Sequence, residues 1–487
     1  MAQNVFIIHG EGYTAGVISA LRRKGIEVPV ATTRGAGSRE AFDRELRTGA
    51  VHLFSTEARF GLSTPAVDKI FRPATRRDIE ALAPSADATL QMLDRMNLEG
   101  LSVAELRSLY LRLIGIWRSL IDVYQPDAII INSVPQFGFD NVAYQLAKLD
   151  GRQTLLFRHT YIEDRVMVSR GIEHVTGPSP EEVAAAEPSV PVDFDSPTNE
   201  HFNQSLMDLS IIRKKLSRRG VLRTLTGLRQ IQRLEPTPWF LNSPTPRIAW
   251  VRWQNFKGRL LCRQCLERYD AISQLPDFDA PYVYFPLHTE PEEGTMPLGG
   301  TFADSLHVIE TVSAALPTGW KLYVKEHPNQ FNRKFLMSKG RSLSFYDSLA
   351  KIPRVVPIKI EVRGDALIAK ARAVATITGT SGWQALQRGI SPLVFGYAWY
   401  LRAPGVIRVD GVESCASALD RISKGEVAVD VDLVGRYLRL MRDRYTVPMI
   451  YAQEFVDLTQ IKIGDHDETF AAAVKTSLDA AGGGAVG

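Results

Sequence analysis

Apolar residues along this chain come in two kinds of run, short unbroken stretches and longer ones with helical spacing, and the two alternate. Val5–Ile8, Ala128–Ile131, Thr154–Phe157, Tyr282–Phe285, Trp320–Lys325, Val374–Thr376 and Pro392–Phe395 read as strands buried on both faces. Leu21–Lys24, Asp140–Leu149, Phe302–Ala315, Phe345–Leu349, Asp365–Lys370 and Val434–Tyr445 read as helices, and Asp78–Tyr124 as two or three helices flanking a sheet. Strand, helix and strand at this spacing make parallel crossover units, so the pattern predicts an α/β chain. Its 487 residues exceed one compact core and imply two or three domains.

The pattern lapses in the middle. Gly177–Pro197 and Glu235–Pro246 are rich in Pro and small or polar residues and read as surface linkers. They bracket Ile211–Arg233, which holds eight Arg or Lys and no acid among spaced Leu and Ile. The predicted division is a first domain over 1–175, a linker with a basic helical insertion over 176–275, a second domain over 276–425, helices over 426–465 that return to the first domain, and a disordered tail over 466–487.

Composition narrows the class. A hydrophobic fraction of 45% with 23% charged residues is that of a soluble globular protein. No run approaches the roughly 20 apolar residues that cross a bilayer, and MAQNVFIIHGEG has neither a basic leader nor a cleavage site, so a cytoplasmic location is expected. Cys262 and Cys265 form a C-x-x-C within a helical pattern with no second pair, which fits inward-packed thiols better than a zinc site. The basic stretch allows a solvated helix, or contact with an anionic inner-membrane surface. Nucleic acid is disfavoured, since no aromatic platform accompanies the charge.

Candidate chemistry gathers where strands end. In an open parallel sheet, functional groups collect beyond the carboxyl ends of the strands. In the first domain those positions hold His9 with Glu11, Asn132 with Ser133, and Arg158 with His159. The glycines after Val5–Ile8 loosely imitate a dinucleotide fingerprint, but no acid closes the second strand, where VPVATTR ends in Arg34. In the second domain a strand delivers His288, Glu290 and Glu292 into a Gly/Pro-rich loop. The strand ending in KLYVKEHP is stopped by Pro328, which places Lys325 and His327 on one side and Glu326 on the other. A cation beside an imidazole suits an anionic leaving group. Gly379-Thr380-Ser381-Gly382 lies between a strand and a helix, and reads either as an ordinary cap or as a phosphate loop.

Together, Tyr284-Phe285-Pro286-Leu287-His288 with Glu290-Pro291-Glu292, then Tyr323-Val324-Lys325-Glu326-His327-Pro328, then Thr376-Ile377-Thr378-Gly379-Thr380-Ser381-Gly382, resemble the second domain of capsule polysaccharide biosynthesis proteins. These are bacterial glycosyltransferases of the GT-B type, among them Kdo transferases of capsule assembly. Pro126–Arg170 is similar to the family's first-domain unit. The chain departs from the family pattern at Gln384, where a Glu usually precedes the Ala-Leu of the final helix.

The resemblance implies a GT-B-like fold: two Rossmann-like domains facing across a cleft, the nucleotide-sugar donor in the second and the acceptor against the first. It implies a glycosyltransferase that moves a sugar, Kdo or a related one, from a nucleotide donor to a capsule or other surface-polysaccharide acceptor, free or lipid-linked. CMP-sugars are favoured by the likeness alone. His327 and Glu290 are the expected catalytic residues. Lys325, His288, Gly379, Thr380, Ser381 and Gln384 are expected at the donor, and His9, Glu11 and His159 at the acceptor, with neither metal nor other cofactor required. The alternatives are a nucleotide-sugar epimerase or hydrolase on the same fold, and a non-catalytic relative that binds nucleotide or glycan.

Overall fold

The computed structural model describes residues 3–10, 15–34, 36–61, 64–95, 97, 100–162, 164–187, 209–226, 247–332, 337–450 and 459–482. Two sheets organise the chain. The first contains β1 (Gln3–Gly10), β2 (Ile26–Thr33), β3 (Val51–Phe54), β4 (Ala128–Ile131), β5 (Gln153–His159) and β6 (Arg165–Ser169), joined late in the chain by β13 (Val447–Pro448). Its order is β13-β6-β5-β4-β1-β2-β3, parallel from β5 to β3, with β6 and β13 added antiparallel at one edge. The second contains β7 (Tyr282–Pro286), β8 (Lys321–Lys325), β9 (Val355–Ile358), β10 (Ala373–Thr376), β11 (Pro392–Val394) and β12 (Ile407–Arg408) in the order β12-β11-β10-β7-β8-β9, parallel throughout. Two parallel-sheet α/β domains are the GT-B-like arrangement that the sequence predicts.

Strand parity in the second sheet fixes what each face carries. Val283, Phe285, Leu322, Val324, Ala373 and Ala375 pack into one core, while Tyr282, Tyr284, Tyr323 and Val374 pack into another on the opposite face. Lys325, the last residue of β8, falls on the tyrosine face, while Glu326, one residue past the strand, bonds Tyr346 of the other core.

Three expectations change. Residues 466–487 are not all a disordered tail, because Ile463–Gly482 is a helix that lays Phe470, Ala471, Val474 and Leu478 into the first domain's core. Phe470 stacks on Phe157 of β5 with ring centroids 4.4 Å apart, so apolar spacing outweighs the Ala-rich composition. Within the expected surface linker, Pro180–Ala185 is a helix with a capping box, the Ser179 hydroxyl accepting from the Glu182 N–H and the Glu182 carboxylate accepting from the Ser179 N–H. The described part of the basic stretch forms two helices, Leu209–Leu216 and Arg218–Thr226, and residues 227–233 lie outside the described residues. Ile212 and Leu216 are buried in the second domain's core, and Arg213 pairs with Asp270 and Glu361 at 2.7 Å each, whereas Lys214, Arg218 and Arg219 are exposed. Cys262 and Cys265 lie buried in the helix Arg247–Ile272, and burial pushes both thiols up to about 12.

Candidate functional site

At the carboxyl edge of the second sheet, the loops after β7 and β8 are tied together from below. Arg341, 2% exposed, donates through Nε to Glu326 Oε2 at 3.0 Å, through Nη1 to Glu290 Oε2 at 2.5 Å, and through Nη2 to the His288 carbonyl at 3.1 Å. Glu326 is fully buried and also accepts from the Tyr346 hydroxyl at 2.7 Å and the His327 N–H at 2.9 Å. Gln330 pairs with both backbone groups of Glu290, at 2.7 and 2.8 Å, and the Ser305 hydroxyl donates to the Glu290 carboxylate. Burial works against the Arg341 charge, but the two carboxylates outweigh it and raise its pKa. Burial raises the Glu290 carboxyl, against the pull of Arg341. Glu290, expected as an acid/base, thus spends its oxygens on Arg341 and Ser305 and holds the loop.

Above this clasp stand the donors. Pro286 of β7 pairs with Lys325 of β8, so His288 and His327, each two residues on, emerge side by side. The His327 Nδ1 accepts from the Asn329 N–H at 3.2 Å and lies 3.1 Å from the Thr289 hydroxyl, which places the neutral ring's proton on Nε2. His288 has the reverse tautomer. Its Nε2 accepts from the Thr378 N–H at 3.3 Å, so Nδ1 carries the proton, and that buried atom has no partner among the described residues. Burial first, then Arg341 and His327, pull its pKa down to about 3. The ring is a neutral donor at any working pH. Lys325 is 9% exposed, and among the described residues no carboxylate lies within 4 Å of its ammonium. Burial lowers its pKa, with Glu326 and Glu361 opposing.

The third loop closes over them. Gly379 starts the helix Thr380–Leu386, its N–H donating to Thr376 Oγ1 at 2.9 Å and its carbonyl accepting from the Tyr400 hydroxyl at 2.5 Å. A Cβ on Gly379 would stand 3.2 Å from His288 Nε2 and 3.4 Å from Ser381 Oγ, and one on Gly382 would meet the Tyr400 hydroxyl at 2.2 Å. Both positions need a bare backbone for the loop to sit this close. Ser381 Oγ is buried without a partner among the described residues. Burial raises the pKa of Tyr161 of the first domain and Thr380 opposes it, and Gln384 is exposed on the helix surface.

The first domain presents its own carboxyl edge to these loops. The Ser133 hydroxyl and Gln136 Nε2 both donate to Glu293 Oε2, at 3.2 and 2.9 Å. Arg95 reaches the carbonyls of Glu292 and Met296, and Arg158 that of Tyr397. His159 ends β5 with its ring 5.3 Å from that of Tyr161, and burial pulls its pKa down to about 4. His9, next to last in β1, bonds Asp140, while Glu11 lies outside the described residues. Sequence reasoning missed Arg341, Glu293, Tyr161 and Asp140. Of these only Asp140 carried a signal, an acid one residue into a helix behind Pro135 and Gly138. Among the described residues no three His, Cys, Asp or Glu are grouped to hold a metal ion.

Residues 281–417 match the family of capsule polysaccharide biosynthesis proteins. No curated protein matches the chain. Among solved structures it is similar to the beta Kdo 2,7 transferase KpsC of Thermosulfurimonas dismutans, at 10% identity over 77% of this chain and 98% of that one, with a TM-score of 0.32. It is similar also to the UDP-GlcNAc 2-epimerase of Neisseria meningitidis bound to UDP-GlcNAc, at 11% identity over 90% and 98% with a TM-score of 0.23. A third is the calicheamicin glycosyltransferase CalG4, at 14% identity over 99% of each chain with a TM-score of 0.23.

Proposed function

We propose that this protein is a glycosyltransferase that takes a sugar from a nucleotide donor and adds it to a surface-polysaccharide acceptor. The observation that carries the reading is a pair of polar groups at one sheet edge, the His288 Nδ1–H and the Ser381 hydroxyl, buried without partners among the described residues, with the Lys325 ammonium at the same edge. Buried donors without partners are costly, and a fold that satisfies Glu326 from three sides yet leaves these two groups open is prepared for a ligand rich in acceptor oxygens. A diphosphate or phosphate ester has that character. The family match over the same residues, 281–417, supports a nucleotide-sugar as its source.

In this reading Lys325 and His327 stabilise charge on the departing phosphate, and His288, Gly379, Thr380 and Ser381 hold the phosphate or the sugar next to it. Glu290 keeps the His288 loop in place through Arg341. The acceptor enters against the first domain, near His9, Glu11 and His159, and Gln384, uncharged and exposed, contacts the donor periphery at most. The edge holding these donors continues into the contacts of Ser133 and Gln136 with Glu293, so donor and acceptor would meet where the domains touch.

The test is His327→Ala. Loss of one electrostatic donor at a leaving group lowers turnover by about 10²–10³-fold, while a strand-end side chain leaves the fold intact. Parental turnover, or a variant that cannot fold, would move the donor site elsewhere.

A further inference from the structure

The basic stretch is one half of a larger surface. Leu209–Leu216 and Arg218–Thr226 hold six Arg or Lys and no acid, and residues 247–266 of the helix Arg247–Ile272 hold five more, again with no acid. The helices are joined on their inner side. Ile212 and Leu216 share one core with Cys262, Cys265, Leu266 and Tyr269, and Arg259 Nη1 reaches the Lys215 carbonyl at 3.5 Å. Since the inward faces meet one core, the opposite faces turn to solvent. We propose that this outer face docks on an anionic lipid surface, cations at the headgroups and exposed apolar side chains in the acyl boundary, an inference that goes beyond the transferase reading and does not rest on it.

Exposed apolar groups carry the proposal further than charge does. Trp253 and Leu260, two turns apart on one stripe of their helix, are 48% and 38% exposed, and Ile211 and Leu222 of the neighbouring helices are 45% and 58% exposed. Cations stand among them. Lys257 shares the Trp253 stripe, with its ammonium 5.9 Å from the indole centroid, and Lys214, Arg218 and Arg219 are exposed beside Ile211 and Leu222. Arg213 is different, because Asp270 and Glu361 take up its charge.

An indole and aliphatic side chains set among Lys and Arg make the outer face of a helix that lies in a membrane interface. A nucleic acid would use the cations and leave Ile211, Leu222 and Leu260 in water, and Trp253 stacks on Phe256 at 5.6 Å instead of standing clear for a base. Lipid satisfies both kinds of group. Phe331, in the turn after His327, belongs to the same core as Ile212 and Leu216, so a membrane that holds these helices holds the donor edge with them.

The experiment uses the full chain with vesicles of phosphatidylglycerol and phosphatidylcholine, vesicles of phosphatidylcholine alone, and heparin and single-stranded RNA as soluble polyanions. Co-sedimentation is expected with the anionic vesicles only. Each cation near the surface changes partitioning about five-fold, so exchanging Lys214, Arg218 and Arg219 for Gln should weaken it on the order of 100-fold. Trp253→Ser with Leu222→Ser should weaken it about 10-fold or more, and that loss should persist in salt that screens the charges. Tryptophan quenching of the parent by brominated phosphatidylglycerol reads insertion without any variant. Recovery in the supernatant with both lipids, unquenched tryptophan, or parental binding in both variants overturns the proposal. Capture by heparin or RNA without vesicle binding also overturns it and assigns the surface to a soluble polyanion. No donor enters these assays, so the transferase reading stands or falls separately.

Discussion

Lys325→Met separates binding from folding at the proposed donor site. Lys325 is 9% exposed, lies at the end of β8 and has no carboxylate within 4 Å of its ammonium among the described residues, and burial disfavours its charge against the support of Glu326 and Glu361. Methionine keeps most of its length and removes the charge. Because burial disfavours that charge, the free variant should be at least as stable as the parent. A hydrogen bond to a charged partner contributes about 1.5–3 kcal/mol, so losing it weakens anion affinity by roughly 10–150-fold. At a nucleotide concentration of about 100 times the parental Kd, the parent gains about 2.7 kcal/mol, and a variant weakened about 30-fold gains only about 0.9 kcal/mol. At roughly 2–4 °C per kcal/mol, the melting shift should shrink from about 5–10 °C to about 2–3 °C. Differential scanning fluorimetry with CMP, UDP and GDP reads both effects. A variant less stable than the parent when free, yet shifted as far by nucleotide, would show that Lys325 serves the fold and that the site is not where we place it.

Removing the clasp should act on the fold instead. Arg341→Leu leaves Glu290 and Glu326 buried without their cation, and the expected loss is about 3–5 kcal/mol, read as the change in urea midpoint; a loss below about 1 kcal/mol would mean that the carboxylates have other support. Acid should also destabilise the protein. His159, His288 and His466 are held by burial at about 4, 3 and 4, below the ordinary 6.5, so the unfolded chain takes up protons that the folded chain refuses. Their contribution is whole above pH 6.5 and is lost as pH falls toward 4. Asp467, pushed up to about 7 by burial and then by Glu468 and Glu45, works in the opposite sense and offsets part of this loss. A urea midpoint unchanged from pH 6.5 to 4.5 would contradict this. For the basic region, exposed Lys214, Arg218 and Arg219 predict salt-sensitive co-sedimentation with anionic but not neutral vesicles, reduced by exchanging the three for Gln; equal recovery in the supernatant with both lipids removes membrane contact.

The strands β1, β4, β5, β7, β8, β10 and β11 were legible because they are unbroken apolar runs, and the three motifs mark the ends of β7, β8 and β10, whereas the outlying strands β3, β6, β12 and β13 carry too little pattern to be read. Side-chain parity was legible too, since a period of two placed Lys325 opposite Glu326. Hidden from the sequence were the partners that come from far along the chain. Arg341 stands in KGRSLSF, a stretch with no motif, yet meets Glu290 and Glu326 at distances of 51 and 15 residues, and nothing local announces such a pairing. For the same reason Glu290 read as a free carboxylate, and His9 was grouped with Glu11 and not with Asp140. The final helix was obscured by composition: GGGAVG suggests disorder, but the phenylalanine and valine before it are spaced to cover β1 and β5.

The most direct measurement is acceptor-dependent nucleotide release by the purified protein, across CMP-Kdo, UDP-GlcNAc and GDP-mannose with and without octyl glycoside acceptors, the product being identified by mass. The account predicts that one donor is consumed only with an acceptor, in equal amounts of nucleotide and glycoside product. Conversion of a donor to a different sugar or to free sugar without any acceptor would make the protein an epimerase or hydrolase, and turnover of no donor would contradict the transferase reading outright.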